Sequence, residues 1–468
     1  MRNTHVKYTC YPSVVEVGKK TEVRIFPSDP SRIFRAECEY ELCVVGLFED
    51  QLDYHAHIPL NFPCYVKDGC LCFEHTFECE QKYSVRFCKK GEKEIKIEMY
   101  AVNSDLYALR PLKGDLHTHT FYSDGGDGIS VTAADYREQG FDFFSLTDHN
   151  RMFTSVLMKE QFDGINLGMN MLLGEEVHTP GSLVHIVHVG GNQSVCDMYI
   201  RNRAAYEAEV DEIEKTLVNI NETYRRRAAM AVWACDKIHK AGGIAIFAHP
   251  YWCPNRNNVS DEFIDILFDL KIFDAFELIG GINAAANNMQ LSLWQHQCMK
   301  GNVLSVVGSS DSHNHDFNKD GFGRRTTIVF AKDNSTAAIL YAVKNGLSVA
   351  CELPLNNNDE LRVYGDLRLV RFTQFLFANY FNITQSLCVG EGVLMRRFAQ
   401  GEDVANQLNA AGDTVGDFYN KFYGKSEPVC VCDRVTAFLK KCREVQIAIG
   451  PKTKGSDLNI YGANERRE

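Results

Sequence analysis

Residues 114–125 read GDLHTHTFYSDG, with His117 and His119 one residue apart and Asp124 shortly after. On an extended strand, residues two apart point to the same face, so both imidazoles can reach one metal ion. An isolated pair of this kind is weak evidence: His55 and His57 form another one, and there ordinary strand alternation is the better reading. The company of His117 sets it apart. Asp148 and His149 end the run FFSLTDHN, Glu175 and Glu176 follow MLLG, His185 lies in LVHIVHVGG, His249 ends IAIFAHP, and Asp311 and His313 end VLSVVGSSDSH. Eleven of the fifteen histidines fall between His117 and His315. Imidazole and carboxylate are the side chains that suit zinc, manganese or iron.

Around these residues the chain repeats one theme, a helix-period segment followed by a short apolar strand that ends in polar groups. VTAADYREQG leads to FDFFSLTDHN, AAMAVWACDKIHKAGG to IAIFAHP, FIDILFDLKIF to DAFELIGG, and LSLWQHQCMKGN to VLSVVGSSDSH. Such alternation predicts an α/β fold of parallel strands with helical crossovers. Polar residues recurring at the C-terminal ends of successive strands predict a barrel with its site on that face.

The flanks differ. Residues 1–110 carry short β-type runs such as TEVRIF, KYSVRF and KEIKIEMYAV between turn signals, the spacing of a small β-sandwich-like domain. The central unit is read as 111–355. Residues 356–468 change to helix-like segments around LRLVRFTQFLFANYF, EDVANQLNAAGDTVGDFYNKFY and DRVTAFLKKCREV, an α-rich annex that ends in a polar tail, GSDLNIYGANERRE. The two flanks are candidates for shaping a substrate entrance or for self-association into a homo-oligomer.

Composition bounds the function. With 468 residues, 45% hydrophobic and 24% charged, the chain has ordinary globular make-up. A net charge of −11 excludes a general attraction to long nucleic acids, which rests on clustered Lys and Arg, while a small anionic substrate remains compatible with bound cations. Seventeen cysteines spread over a long chain, with no apolar core of a leader in MRNTHVKYTCYPSVVEVGKK, predict reduced thiols and a cytoplasmic location. No apolar stretch approaches the roughly 20 residues that span a bilayer. Cys70 with Cys72 and Cys430 with Cys432 lack the paired spacing of a zinc finger.

The motifs DLHTHT, SDG, LTDHN, GEE, VHIVHVG, FAHP and GSSDSH, in this order, resemble the polymerase and histidinol phosphatase (PHP) family of metal-dependent hydrolases, over about residues 112–350. A β-rich segment ahead of GDLHTHT, together with TDHN as the second motif, is similar to one branch of that family. The resemblance implies a distorted, seven-stranded β/α barrel with two or three divalent ions. By it His117, His119, Glu176 and Asp311 would hold one ion, and Glu176 would bridge to a second held by His185 and His249. Asp124, His149 and His313 would hold the third; the family often has histidine where Asp124 stands, though aspartate also occurs. Glu176 is preferred to Glu175 because the family's acid stands two residues after the glycine, here Gly174. His185 occupies the family's position ahead of an apolar stretch ending in Gly190, whereas His188 alternates to the other strand face. His178 is a candidate supporting group.

From this set, Asp124, Glu176, His249 and Asp311 are the catalytic candidates, and the nucleophile would be a metal-activated hydroxide. Asn150, Arg151, Tyr251 with Trp252, and Arg324 with Arg325 are candidate substrate contacts, the arginines because a planar donor fork suits phosphate or carboxylate. Ser310, Ser312 and Cys253 read as structural or supporting groups, and Glu277 as a buried structural hydrogen-bonding group, with orientation of a ligand or contact with substrate as its alternatives. The expected activity is phosphoester hydrolysis on a small phosphorylated metabolite or nucleotide end. Hydrolysis of a carbamate, amide or carboxylic ester by the same site is the alternative, and a non-catalytic metal-binding scaffold is the second.

Overall fold

A computed structural model describes residues 7–29, 32–48, 59–253, 258–315, 322–353 and 360–449. His55, His57 and the tail 455–468 lie outside them. The chain divides into two compact units, one of residues 1–101 with 421–468 and one of residues 102–420.

In the first unit the alternating runs form β1 (Tyr8–Tyr11), β2 (Val14–Glu16), β3 (Lys20–Pro27), β4 (Tyr40–Gly46), β5 (Tyr65–Lys67), β6 (Cys70–Thr76), β7 (Gln81–Lys89) and β8 (Ile95–Val102). They build two four-stranded sheets, ordered β1-β3-β6-β5 and β2-β8-β7-β4. One core holds side chains of both, among them Val23, Ile25, Leu71 and Phe73 of the first and Leu42, Val85, Phe87 and Met99 of the second. This is the layering that period-2 strands with one buried face produce. The helix Asp433–Ile449 belongs to the same unit, where the Val431 amide donates to the Asp68 carbonyl at 3.0 Å.

The second unit is mixed α/β. Its strands are β9 (Arg110–Asp115), β10 (Phe143–Ser145), β11 (Asn170–Leu172), β12 (Gly174–Val177), β13 (Ile186–Val189), β14 (Ile244–Phe247), β15 (Ala275–Ile279), β16 (Ser305–Gly308), β17 (Arg325–Ala331), β18 (Ser348–Glu352) and β19 (Arg362–Tyr364). They form a six-stranded sheet, β11-β10-β9-β17-β18-β19, and a five-stranded one, β12-β13-β14-β15-β16. Pairs β9–β10, β10–β11, β14–β15 and β15–β16 are parallel, as the alternation of helices and strands predicts. The pairs β12–β13, β13–β14 and β9–β17 are antiparallel, which corrects the expectation of parallel strands throughout. Between Val177 and Ile186 lie only eight residues. That is too few for a helical crossover, which needs a dozen or more, so β12 and β13 fold back on each other.

Two isolated parallel bridges, Thr118 with Ser312 and His149 with Glu176, join the two sheets just beyond the C-terminal ends of β9, β16 and β10. Between the sheets lies a core of Leu112, Phe143, Val187, Ile246, Ala275 and Val307. The helices Glu222–Lys240, Asp261–Asp269 and Ala284–Met299 cover the five-stranded sheet through Trp233, Phe263, Leu267 and Leu293. Among the described residues, no helix is long and apolar enough to cross a membrane.

The helix Asn382–Ala399 packs against Ile129–Glu138 within this unit. A Cβ on Gly392 would come within 2.5 Å of Glu138 Cγ and 2.8 Å of the Ala134 carbonyl, so only glycine lets the two backbones approach this closely. The contact carries an ion pair with no access to water: Arg137 Nη2 lies 2.7 Å from Glu391 Oε2, and the Gly168 amide donates to Oε1 at 2.6 Å. Arg137→Leu should cost about 3–5 kcal/mol in urea denaturation because it strands the Glu391 charge. Adding Glu391→Leu should recover part of that loss. An unchanged midpoint for the single variant would show that the pair does not hold the helices together.

Candidate metal centre

The site is assembled by backbone continuity beyond the strand ends. Past Asp115 the chain stays extended, so His117 and His119 face one way while Thr118 and Thr120 alternate to the other. Thr118 N–H donates to Thr147 Oγ1 at 3.0 Å, and Thr120 N–H to Asp148 Oδ1 at 2.7 Å, which lock this segment to the end of β10. On its other side the Asp311 amide donates to the His117 carbonyl, and the His119 amide to the Ser312 carbonyl, each at 2.9 Å. Asp115 sits beneath the junction and accepts from the amides of His117 at 3.2 Å and Ser310 at 3.1 Å and from the Tyr136 hydroxyl at 2.9 Å.

Glu176 stands at the centre, fully buried. Its Oε2 lies 3.2 Å from His117 Nε2, 3.3 Å from His119 Nε2 and 2.7 Å from His149 Nδ1. Its Oε1 lies 3.2 Å from His178 Nε2, 2.8 Å from His185 Nδ1 and 3.4 Å from His249 Nε2. Each carboxylate oxygen therefore faces its own trio of imidazole nitrogens. Asp311 Oδ1 approaches the first trio, 3.0 Å from His119 Nε2 and 3.3 Å from His117 Nε2, and its Oδ2 lies 3.9 Å from His249. A third group forms at the outer edge, where Asp124 Oδ2 is 3.3 Å from both His149 Nε2 and His313 Nε2.

These atoms fit divalent ions better than they fit one another. Both Glu176 oxygens, and the facing nitrogens of His117, His119, His149, His178, His185 and His249, are buried without a well-formed hydrogen bond. Buried polar atoms normally have partners, and a set of orphaned N and O donors converging at this spacing is the chemistry of a metal site. The described residues contain five overlapping donor groups here: His119, Asp124, His149 and His313; His117, His249 and Glu277; His117, His119 and Glu176; His149, Glu176 and His178; and Glu176, His185 and His249.

The electrostatics agree. Burial works to keep Glu176 protonated, yet His117, His185 and His178 outweigh it and hold the carboxyl well below its ordinary range. Asp311 is likewise held down by His117, His119 and His249 against its own burial. Burial pulls His117 down, but Asp311, Glu176 and Glu277 overcome it and hold the imidazole well above its ordinary value. His119 is raised to about 9 by the same two central acids, again against burial. Burial wins at His185, which falls to about 4 and keeps its lone pair. The acids are held ionised, and a cation entering the site would displace the protons that His117 and His119 hold.

Two of the central residues hold backbone conformations that side-chain-bearing residues rarely adopt, His249 with φ 21° and Asp311 with φ 49°. Space for the second comes from a glycine: a Cβ on Gly281 would meet Asp311 Cβ and the Ser310 carbonyl at 2.5 Å.

All nine residues expected as ligands lie in this cluster, Glu176 among them, whereas Glu175 turns away. Glu175 accepts from Ser194 Oγ and the Val195 amide, each at 2.6 Å, and lies 3.1 Å from His188 Nδ1 on the opposite face of the hairpin. His178 lies inside the cluster, closer than a supporting role suggested. Its signal in the sequence is its spacing of two from Glu176, the same spacing that marks His117 and His119. Glu277, read as structural, does hold a position, but on a central histidine: its Oε2 is 2.8 Å from His117 Nδ1, which turns Nε2 toward Glu176.

Most of the candidate substrate contacts have partners within the chain. Asn150 (φ 55°) accepts the His178 amide at 3.1 Å and the Tyr199 hydroxyl, bracing the two loops. Arg151 donates to the Tyr122 carbonyl. Tyr251 is buried, with its hydroxyl donating to Asp261 at 3.0 Å. Arg324 lies half-buried in the turn before β17, and Arg325 donates to the Ile282 carbonyl at 3.1 Å. Trp252, beside Tyr251, is the ring that borders the cluster, its centroid 5.8 Å from that of His185 and 6.4 Å from that of His249.

Among known proteins, the DNA polymerase/3'-5' exonuclease PolX of Bacillus subtilis is 24% identical over 236 residues, 47% of this chain. The match spans 37% of the polymerase's length. No family model matches the chain. Three solved structures align with low overall similarity. A Bacteroides vulgatus two-domain protein containing a predicted PHP-like metal-dependent phosphoesterase has a TM-score of 0.37 and 23% identity, over 52% of this chain and 65% of that one. A putative metal-dependent phosphoesterase from Bifidobacterium adolescentis has 0.30 and 19%, over 43% of this chain and 87% of that one. An amidohydrolase from Chromobacterium violaceum with bound sulfate has 0.29 and 17%, over 43% and 88%.

Glu277→Gln keeps the size of the side chain but weakens its hold on His117. It should lower zinc affinity by about 10- to 100-fold with little change in folding, as measured by competition with a chromogenic chelator. Unchanged affinity would mean that Glu277 does not orient the ligand.

Proposed function

We propose that this protein is a metal-dependent hydrolase of the PHP kind, a phosphoesterase that acts on a small anionic substrate such as a phosphorylated metabolite or nucleotide end. The observation that carries this reading is the central carboxylate, buried with each oxygen facing a separate trio of imidazoles. A carboxylate so placed is suited to bridge two ions of zinc, manganese or iron, one with His117, His119 and Asp311, the other with His185 and His249. Asp124, His149 and His313 are suited to hold a third. Such ions, when bound, acidify water and neutralise the charge that builds on a phosphoryl group during displacement.

The chain's own contribution is placement and charge. Glu176 and Asp311, kept ionised, hold the two halves of the site at fixed separation, and Glu277 sets the His117 tautomer. Burial of His117, His119 and Glu176 keeps bulk water from the inner side, so a reacting group approaches from the open rim, where Asp124, His149, His178, His185 and His313 keep part of their surface. On this reading β9, β10 and β12–β16 act as one distorted seven-stranded barrel, closed by the two isolated bridges at the site itself. The bridges support that view because they join the sheets at Thr118–Ser312 and His149–Glu176, beside the groups that must converge.

The test is turnover of a panel of aryl phosphate, phosphodiester, carboxylic ester and carbamate substrates by manganese-loaded protein. Aryl phosphate should be cleaved, chelation should abolish turnover, and Asp311→Ala should lower kcat/KM by at least about 100-fold. Cleavage confined to esters or carbamates would move the assignment to those bonds. Full activity after exhaustive chelation would end the metal-dependent reading.

A further inference from the structure

Exposed aromatic side chains are ordinary on protein surfaces, and position rather than exposure gives one of them meaning. Trp252 is 42% exposed and stands three residues after His249. Its backbone is fixed on both sides: its amide donates to the His249 carbonyl and its carbonyl accepts from the Asn258 amide, each at 2.9 Å. The indole leans on His185 at an interplanar angle of 38° and meets His249 at 60°. Those two imidazoles face the same oxygen of Glu176, at 2.8 and 3.4 Å. The ring therefore adjoins one end of the cluster, backed by a buried imidazole and open to solvent elsewhere.

Phe121, also exposed, offers a contrast. It follows the other end of the cluster, but its ring is already stacked on Tyr122 at 4.5 Å and 26°, and Tyr122 meets Phe153 edge to face. That group is a closed aromatic cluster. Trp252 has its ring against the candidate ligands themselves.

We propose that Trp252 is a specificity-determining residue that stacks on a planar aromatic ring of the substrate, an aryl or nucleobase group within a few bonds of the phosphoester. The inference rests on the hydrolase reading above and adds the class of group attached to the scissile phosphate. The geometry sets the reach. With the indole centroid about 6 Å from two imidazoles of one trio, a ring stacked on it lies beside, not beyond, a group held at that trio. Indole is also the side chain that gains most from a flat π-face, and stacking of this kind tolerates different rings because each presents one.

The test uses binding, so that it reads separately from turnover. Benzylphosphonate and cyclohexylmethylphosphonate have the same charged head and similar bulk, and differ in whether the ring is planar and aromatic. Titrated into zinc-loaded protein, benzylphosphonate should bind about 10-fold more tightly, the order expected for one stacked ring. It should also quench tryptophan fluorescence, since Trp233 is buried and Trp294 donates its indole N–H to the Leu304 carbonyl. In Trp252→Ala the preference for the benzyl compound should collapse toward unity, and in Trp252→Phe most of it should return. Equal binding of the two compounds by the native protein, or a preference that survives Trp252→Ala, would overturn the stacking role while leaving the hydrolase reading intact. Failure of both phosphonates to bind the zinc-loaded protein would overturn the two together.

Discussion

A single carboxylate without access to water, that of Glu176, is surrounded by six imidazoles, three to each oxygen. Burying one ionised carboxylate costs several kcal/mol unless charge and donors compensate it, and the six histidines come from five separate segments of chain. Those segments can meet only if β9, β10, β12, β13 and β14 end at the same place. The centre is thus a constraint on the whole unit: a shift of one strand by one residue would turn its ligand to the opposite face.

The surrounding structure is arranged around that constraint. Asp115 ties the amide of His117 to that of Ser310, Asp148 ties Thr120 and Ser123 to the end of β10, and Asn150 joins the His149 loop to the backbone of His178. Glu277 reaches across from β15 to fix His117. Gly281 leaves room for Asp311 in its left-handed conformation. None of these groups has to touch a substrate. Each removes a degree of freedom from a residue of the cluster, which is how a site built on loops acquires fixed geometry.

Much of this was legible in the sequence, for physical reasons. The i, i+2 spacing of His117 and His119 encodes a shared strand face, and histidines and acids at the ends of successive apolar runs encode convergence. The alternation of Glu175 and Glu176, and of His185 and His188, follows from strand periodicity, and the β12–β13 hairpin sets Glu175 opposite His188 on one face and leaves Glu176 and His185 to meet on the other. The antiparallel hairpin itself was hidden, because a fully buried strand reads as the same apolar run whichever way it points. For Glu277 the sequence left orientation of a ligand open beside a structural role, but not which ligand: its partner His117 is 160 residues away. Asn150, Arg151 and Tyr251, read from their loop positions as candidate substrate contacts, have backbone and neighbouring side chains as partners.

On the proposed reading Glu176, with one oxygen toward each trio of imidazoles, would bridge two ions. Electron paramagnetic resonance of the protein loaded with two equivalents of manganese tests it most directly, because spins bridged by one carboxylate couple. An exchange-coupled manganese pair is expected in the native protein, with isolated-ion signals in its place in Glu176→Gln. Isolated-ion signals in the native protein at full loading, or an intact coupled pair in Glu176→Gln, would contradict it.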